Sequence, residues 1–248
     1  MDTFYEYTGA TMGGHGVDRC GRARPSTLLF HLQEAAVGAS DALLISRETM
    51  LVRHNVFWML ARIWFRLERP IAWDEPLLIR TWHRGGRGVT TYRDYDIYAG
   101  GELAGEAVSS WVLADWDTKK LLRMTNVPEF ADTTGGSLCK DRALHKLQMP
   151  EGLAPAEQRL LRDSDGDING HVNNARYADF ACDALGTERL PPEQFVSELQ
   201  LGYVAECRPG EMLDISTAWA DGAAFAQGMG PDGRSRFEAR VQIAERSR

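Results

Sequence analysis

The chain repeats itself, and this internal duplication constrains its fold more than any other feature of the sequence. Residues 18–22 align with 167–171 at a shift of 149 residues, and residues 28–35 align with 177–184 at the same shift. Similar segments that recur in the same order indicate two copies of one structural unit. The 248 residues are therefore predicted to fold as two similar halves.

The segment that follows each repeated loop is predicted to be a helix. Five apolar residues of the second copy recur with the spacing of one helix face: Tyr177, Phe180, Ala181, Ala184 and Leu185. Asn173 or Asn174 is suited to cap the start of this helix, and Gly186 is suited to end it. In the first copy, Pro25 fits the first helical turn, where a missing N–H costs nothing.

Strands of alternating character are predicted after each helix. Every second residue from Phe57 to Leu67 is apolar, which predicts a strand with one buried face. Leu199, Leu201 and Tyr203 follow the same phase at a shift of 136, so the first half carries a connection that is 13 residues longer, around 46–55. Further strands are predicted at 75–79, 90–98, 103–114, 211–215, 223–229 and 235–243.

One helix followed by a run of antiparallel strands is typical of the hot-dog arrangement, in which a sheet wraps a long helix. The sequence thus predicts an α+β protein of two fused hot-dog domains that pack side by side. We place the N-terminal domain at 1–132 and the C-terminal domain at 154–248. Residues 133–153 are the predicted linker, because Gly135-Gly136-Ser137 favours a flexible connection.

Composition excludes several classes of function. The formal net charge of −7 argues against nucleic acid or an anionic membrane as the main partner. No apolar run is long enough to cross a bilayer, and the first seven residues lack a signal-peptide pattern, so a cytoplasmic protein is expected. The four cysteines show neither a CxxC pair nor zinc-ligand spacing, which predicts free thiols and no structural metal: Cys20, Cys139, Cys182 and Cys207.

The loop at 163–174 contains the residues of the sequence that are best suited to catalysis. It holds three aspartates, three asparagines and a histidine directly ahead of the second predicted helix. Turn and capping propensities account for its glycines and for Asn173 and Asn174, but not for His171. Hydrolysis of an acyl group needs a base that activates water and donors for the developing oxyanion, and N–H groups at a helix N-terminus are such donors. The loop is therefore a candidate site for acyl transfer to water.

The two halves differ at this loop. Where the second half has Asn169 and His171, the first half has Cys20 and Arg22. We therefore expect one active site per chain.

Asp167-x-Asn169-x-His171-Val172-Asn173-Asn174, together with the Tyr-x-x-Glu-Cys segment at 203–207, resembles the signature of plant and bacterial acyl-acyl carrier protein (acyl-ACP) thioesterases. Further agreement lies in the first half, at 32–36, from 69–70 through 81–82, at 110–113 and at 118–120. The resemblance implies a double hot-dog fold, hydrolysis of acyl-ACP thioesters and no metal or organic cofactor. Carried over by position, the catalytic residues are Asp167, Asn169, His171 and Glu206.

The resemblance also implies roles for these residues. Glu206, acting directly or through His171, activates the attacking water, Asn169 holds the water or the thioester oxygen, and Asp167 orients the loop. A direct attack by a carboxylate through a covalent intermediate is the alternative, and the sequence does not decide between the two. Cys207 is left out of the mechanism, because the neighbouring carboxylate of Glu206 disfavours a thiolate.

Glu206 is out of phase with the buried residues of its predicted strand. The strand must therefore end or bulge before Glu206, or this residue is only a surface acid.

The implied partner is acyl carrier protein with its phosphopantetheine-linked acyl chain. Because that partner is acidic, basic residues are expected near the entrance of the acyl-binding tunnel. The candidates are Arg19, Arg22, Arg24, Lys119, Lys120 and Arg123. The acyl chain is expected in the first half, where four residues could line its pocket or pack the core: Trp58, Met59, Trp64 and Trp111.

Three other functions stay open: an acyl-coenzyme A thioesterase, a hydratase or dehydratase of the same fold, and a non-catalytic acyl-binding protein. A homodimer is also possible.

Overall fold

The computed structural model describes residues 3–127, 129 and 134–246. Contacts between Cα atoms divide the chain into two compact units. The first unit comprises Met1–Thr11, His31–Ile63 and Glu75–Leu144, and the second comprises Met12–Phe30, Trp64–Asp74 and His145–Arg248. The first repeated loop thus belongs to the second unit. The predicted domain boundaries stay a prediction, and the one between 132 and 133 lies outside the described residues.

The described chain forms three α-helices and eleven strands. The helices are α1 (Pro25–Ala42), α2 (Arg47–His54) and α3 (Arg176–Leu185). The strands are β1 (Tyr5–Thr11), β2 (Val56–Leu67), β3 (Pro76–Arg87), β4 (Thr90–Ala99), β5 (Glu102–Asp115), β6 (Leu121–Leu122), β7 (Ala154–Leu160), β8 (Gln194–Tyr203), β9 (Met212–Ala220), β10 (Ala223–Met229) and β11 (Ser235–Glu245). Every predicted helix and strand is present.

Helix α1 begins at Pro25, as predicted. Helix α2 occupies the stretch that was expected to be a plain connection. Ser46 caps it by accepting a hydrogen bond of 3.1 Å from the backbone N–H of Thr49, and Asn55 ends it in the left-handed conformation, with φ of 55°. Serine and asparagine are favoured at these two positions, so the helix had a signal that periodicity alone did not reveal.

Helix α3 ends at Gly186 in the left-handed conformation, as predicted, but the expected asparagine cap at its start is wrong. The N-cap position is Ala175, which makes no side-chain cap. The Oδ1 atom of Asn173 instead accepts a hydrogen bond of 2.9 Å from the N–H of Ala175. Asn173 therefore forms a turn before the helix, because asparagine side chains bond readily to the backbone two residues on.

The first unit is built on the strand order β1-β3-β4-β5-β2, with β6 beside β5, and it includes β2 only as far as Ile63. Strands β1, β3, β4 and β5 pair in an antiparallel manner. A cluster of buried apolar residues joins α2 to this sheet, and its members are Ile45, Met50, Val56, Leu113 and Val127.

The alternating burial predicted for β2 holds only in its last part. Ile63, Phe65 and Leu67 are buried, whereas Phe57, Met59 and Ala61 are half-buried. Trp64, in the opposite phase, is buried as well. Both faces are therefore covered near the end of the strand, which a two-residue period cannot predict.

The second unit has the strand order β8-β11-β10-β9-β7, with antiparallel pairing throughout. Helix α3 packs on β9, β10 and β11 through Tyr177, Phe180 and Ala181, all of which are buried. The architecture is α+β, as predicted. Among the described residues, no single helix is long and apolar enough to cross a membrane. Helices α1 and α2 pass that test only as a pair, with a bend of 51° between them.

The duplicated loops have matching backbone hydrogen bonds. In the first loop, the N–H of Asp18 donates to the carbonyl oxygen of Arg22 at 2.8 Å, and in the second the N–H of Asp167 donates to the carbonyl oxygen of His171 at the same distance. Both loops turn at a left-handed glycine, which is Gly21 in the first and Gly170 in the second. This agreement supports a real duplication, because unrelated loops have no reason to share bonds position by position.

Candidate active site

Asp167 determines the shape of the second loop. Its Oδ1 atom accepts a hydrogen bond of 2.8 Å from the N–H of Asn169, and its carbonyl oxygen accepts one of 2.9 Å from the N–H of Gly170. Gly170 has a φ of 74°, a conformation that suits glycine. The loop tip at Ile168 and Asn169 is exposed, which leaves the Asn169 amide accessible from solvent.

His171 and Glu206 form the central pair of the site. The Nε2 atom of His171 lies 3.1 Å from the Oε2 atom of Glu206, and the two side chains are 27% and 60% exposed. Strand β8 ends at Tyr203, so Glu206 lies beyond the regular strand and is free of its alternation. This explains how a residue that is out of phase with the strand reaches the histidine.

The base of the loop is fixed to its neighbours by backbone bonds. The N–H of Val172 donates to the carbonyl oxygen of Cys207 at 2.9 Å, and the N–H of Asn173 donates to that of Asp165 at 2.8 Å. The side chain of Asp165 is largely buried and pairs with Arg176 at 2.9 Å. The first bond joins the segments that carry His171 and Glu206.

Cys207 is buried and is not suited to act as a nucleophile. Burial raises the pKa of its thiol, and the negative charge of Glu211 acts in the same direction, against the opposing effects of Tyr177 and Arg236. A thiol with a raised pKa gives little thiolate at neutral pH. The acid that raises this pKa is thus Glu211, not Glu206 as the sequence suggested.

The first loop keeps the aspartate, as Asp18, but replaces the asparagine and the histidine. The guanidinium of Arg22, which takes the place of His171, donates to the carboxylate of Asp18 at 2.7 Å and to the carbonyl oxygens of Pro191 and Gln194. Burial opposes ionisation of Asp18, but its bonds with Arg22 and the backbone prevail and lower its pKa. Pro70 stands where the second half has Glu206. A cleft of about 230 Å³ beside this loop is lined by both Arg22 and Pro70.

Most of the predicted basic residues have structural contacts. Arg22 is buried, Arg24 donates to the carbonyl oxygen of Val17, and Arg19 donates to that of Glu188. These three arginines therefore bind their own chain.

The second basic group lies in the first unit. The ammonium group of Lys119 is 4.2 Å from the ring centre of Trp116 and 4.9 Å from that of Phe57, in cation–π geometry. Lys120 and Arg123 are exposed. They are the predicted basic residues best placed to meet an acidic partner.

The aromatic candidates for the acyl pocket have core contacts. Trp58 packs against the buried cluster around Met50, Trp64 is 1% exposed, and the indole N–H of Trp111 donates to Ser109 at 2.7 Å. Met59 is half-buried. Within the described chain, no group of three or more His, Cys, Asp or Glu side chains is arranged to hold a metal ion.

The chain is similar in sequence to known proteins. Models of the acyl-ACP thioesterase N-terminal and C-terminal domains match residues 13–132 and 156–235. An acyl-[acyl-carrier-protein] hydrolase of Cuphea viscosissima is 28% identical over 82% of this chain and 52% of its own length. Oleoyl-acyl carrier protein thioesterase 2 of Arabidopsis thaliana is 29% identical over 77% of this chain and 56% of its own length. The chain thus spans about half the length of the curated relatives it matches.

Two solved structures share the fold over almost their whole length. The acyl-ACP thioesterase of Bacteroides thetaiotaomicron superposes with a TM-score of 0.79 at 21% identity, covering 98% of this chain and 97% of its own. The 12:0-ACP thioesterase of Umbellularia californica gives 0.78 at 19% identity, covering 98% of each chain. The prediction of two fused hot-dog domains is confirmed. With both domain models matched in order, the chain belongs to the acyl-ACP thioesterase family.

Proposed function

We propose that the protein hydrolyses the thioester of fatty acyl-ACP to a free fatty acid and holo-acyl carrier protein. The contact of 3.1 Å between His171 and Glu206, beside the loop shaped by Asp167, is the observation that carries this proposal. In a chain of this family, that contact places two proton-accepting side chains next to each other. Both are partly exposed to solvent, so a thioester carbonyl can approach them.

The proposed reaction is attack by water on the thioester carbonyl carbon. Glu206, directly or through His171, accepts one proton of the water as the new C–O bond forms. Asn169 and nearby backbone N–H groups stabilise the oxyanion, and Asp167 holds Asn169 in place. The C–S bond then breaks, and the proton passes to the phosphopantetheine thiolate that leaves.

The alternative is direct attack by the carboxylate of Glu206, which would form an acyl anhydride on the enzyme. Single-turnover hydrolysis in ¹⁸O-labelled water separates the two routes. Label in the Glu206 carboxylate contradicts direct attack by water on the thioester, which places the label in the fatty acid alone.

The test of the function is turnover of a panel of acyl-ACP thioesters of different chain lengths. We expect His171→Ala and Glu206→Gln to lower kcat by a factor of about 100 or more, since removal of a general base costs that order. Asn169→Ala should also lower kcat, and Cys20→Ala, at the matching position of the first loop, is the control. Full activity of His171→Ala and Glu206→Gln would refute the proposal.

Two rival activities are separated by simple assays. Acyl-coenzyme A thioesters tested beside acyl-ACP identify the preferred carrier. A thiol reagent detects thioester hydrolysis but not hydration or dehydration, which release no thiol. Activity after dialysis against a chelator tests the expectation that no metal is needed. The cytoplasmic location and the homodimer stay predictions.

A further inference from the structure

The contact between His171 and Glu206 depends on two irregular segments. His171 lies in the loop before α3, and Glu206 lies in the coil after β8. Neither side chain is deeply buried, so packing alone does not fix their separation. Whatever joins these two segments therefore controls the geometry of the pair.

Among the described residues, two hydrogen bonds besides the pair itself link the loop before α3 to the end of β8 and the coil after it. One is the backbone bond from Val172 to Cys207 described above. The other comes from the last residue of β8, because the Tyr203 hydroxyl donates to the carbonyl oxygen of Asn174 at 3.0 Å. Val172 and Asn174 lie one and three residues after His171, and Tyr203 and Cys207 lie on either side of Glu206.

The duplication shows which of these bonds accompanies the catalytic pair. The backbone bond recurs in the first half, where the N–H of Ala23 donates to the carbonyl oxygen of Ile71 at 2.8 Å. The tyrosine bond does not recur, because the residue that matches Tyr203 at the shift of 136 is Leu67, which has no hydroxyl. The half that lacks the histidine and the glutamate thus also lacks the tyrosine bond.

The residues around Tyr203 fix the position of its ring and keep its hydroxyl protonated. The ring packs edge-on against Tyr177, with 5.6 Å between centres, and Tyr177 packs in the same way on Phe237 at 5.5 Å. Burial raises the pKa of the Tyr203 hydroxyl, so it remains a neutral donor. The backbone after it is also held, because the N–H groups of Val204 and Ala205 both donate to the carbonyl oxygen of Arg236.

We propose that Tyr203 is a positioning residue, whose hydroxyl bond to Asn174 holds the loop of His171 at the correct distance from Glu206. The inference rests on the proposed function for its kinetic consequences, but the geometry that it predicts can be measured without any assay of activity.

Tyr203→Phe removes the hydroxyl and keeps the ring packing. We expect kcat for acyl-ACP to fall about three- to tenfold with KM within about twofold, because a loosened pair impairs the chemical step more than binding. Tyr95→Phe is the matched control, since it removes a buried hydroxyl bonded to Ser109 at 2.9 Å in the first unit. Unchanged kcat in Tyr203→Phe, or an equal loss in Tyr95→Phe, overturns the inference.

A double-mutant cycle tests whether Tyr203 acts through the pair. In a Glu206→Gln background, adding Tyr203→Phe should lower the residual kcat by less than about 1.5-fold, since coupled residues are not additive. The same three- to tenfold loss in both backgrounds contradicts a positioning role.

A crystallographic comparison keeps the two proposals distinguishable. In Tyr203→Phe the separation between His171 Nε2 and Glu206 Oε2 should increase beyond hydrogen-bond range, while Tyr95→Phe should keep it. If the wild-type protein releases no fatty acid from acyl-ACP, the proposed function fails but this measurement still decides the inference. An unchanged separation in Tyr203→Phe refutes the positioning role.

Discussion

The pH dependence of folding can be predicted from one buried histidine in the first unit. His83 is 5% exposed and hydrogen-bonds with Thr91 across the β3–β4 pair. Burial, together with the positive charge of Arg93, lowers the pKa of His83 from 6.5 to about 3. The imidazole is therefore neutral in the folded protein, whereas the unfolded chain takes up a proton below its ordinary pKa.

The sign and size of the effect follow from this difference. Because the folded-state pKa is depressed, the contribution of His83 to the free energy of unfolding is fully present above the unfolded-state pKa. It is lost as the pH falls towards 3. Between the two pKa values, stability should fall by about 1.4 kcal/mol per pH unit, or about 2.5 kcal/mol from about pH 7 to about pH 4.5.

The assay is urea denaturation of the wild-type protein and of His83→Gln over that pH range. We expect the variant to lose most of this slope, whatever its stability at neutral pH, because glutamine does not titrate. His15→Gln, which replaces an exposed histidine, is the control for the substitution itself. Equal slopes in wild type and His83→Gln would refute the reasoning, because His83 would then titrate alike in both states.

Three further predictions concern the site and its partner. Cys207→Ser should retain most of the kcat for acyl-ACP, and an inactive variant would reopen a thiol mechanism. Gly170→Ala should cost about 1–2 kcal/mol in the free energy of unfolding because of its φ of 74°, and should lower kcat as well. Gly21→Ala, with φ of 72° in the first loop, should cost as much stability with unchanged kcat, and a matching loss of kcat would contradict one site per chain. Lys120→Glu should raise KM for acyl-ACP but not for a small acyl thioester. Lys120 is chosen because its neighbour Lys119 contacts the ring of Trp116. Equal changes of KM for both substrates would exclude a carrier contact at Lys120.

The helical and strand periodicity of the sequence located most elements of the fold. Residues with clear periodicity, such as Tyr177 and Phe180 in α3, lie where the pattern predicts, and Gly186 ends the helix as expected. Helix α2 and strands β1, β6 and β7 were missed. They are short or mostly exposed, so burial leaves little periodic trace in their residues.

The candidate site was predicted only as a set of residues. The sequence identified Asp167, Asn169, His171 and Glu206 through a family motif, but the phase of β8 argued against Glu206. The structure resolves this conflict, because β8 ends at Tyr203 and the coil beyond it brings the carboxylate to the imidazole.

By itself, the sequence determined the duplication, the elements with strong periodicity and the residue types at the site, since these depend on local spacing along the chain. Only the tertiary structure decided which groups meet. The contact between His171 and Glu206 and the bond from Tyr203 to Asn174 join residues that are far apart in sequence. Such contacts arise from the pairing of strands and the paths of loops, which local propensity does not specify.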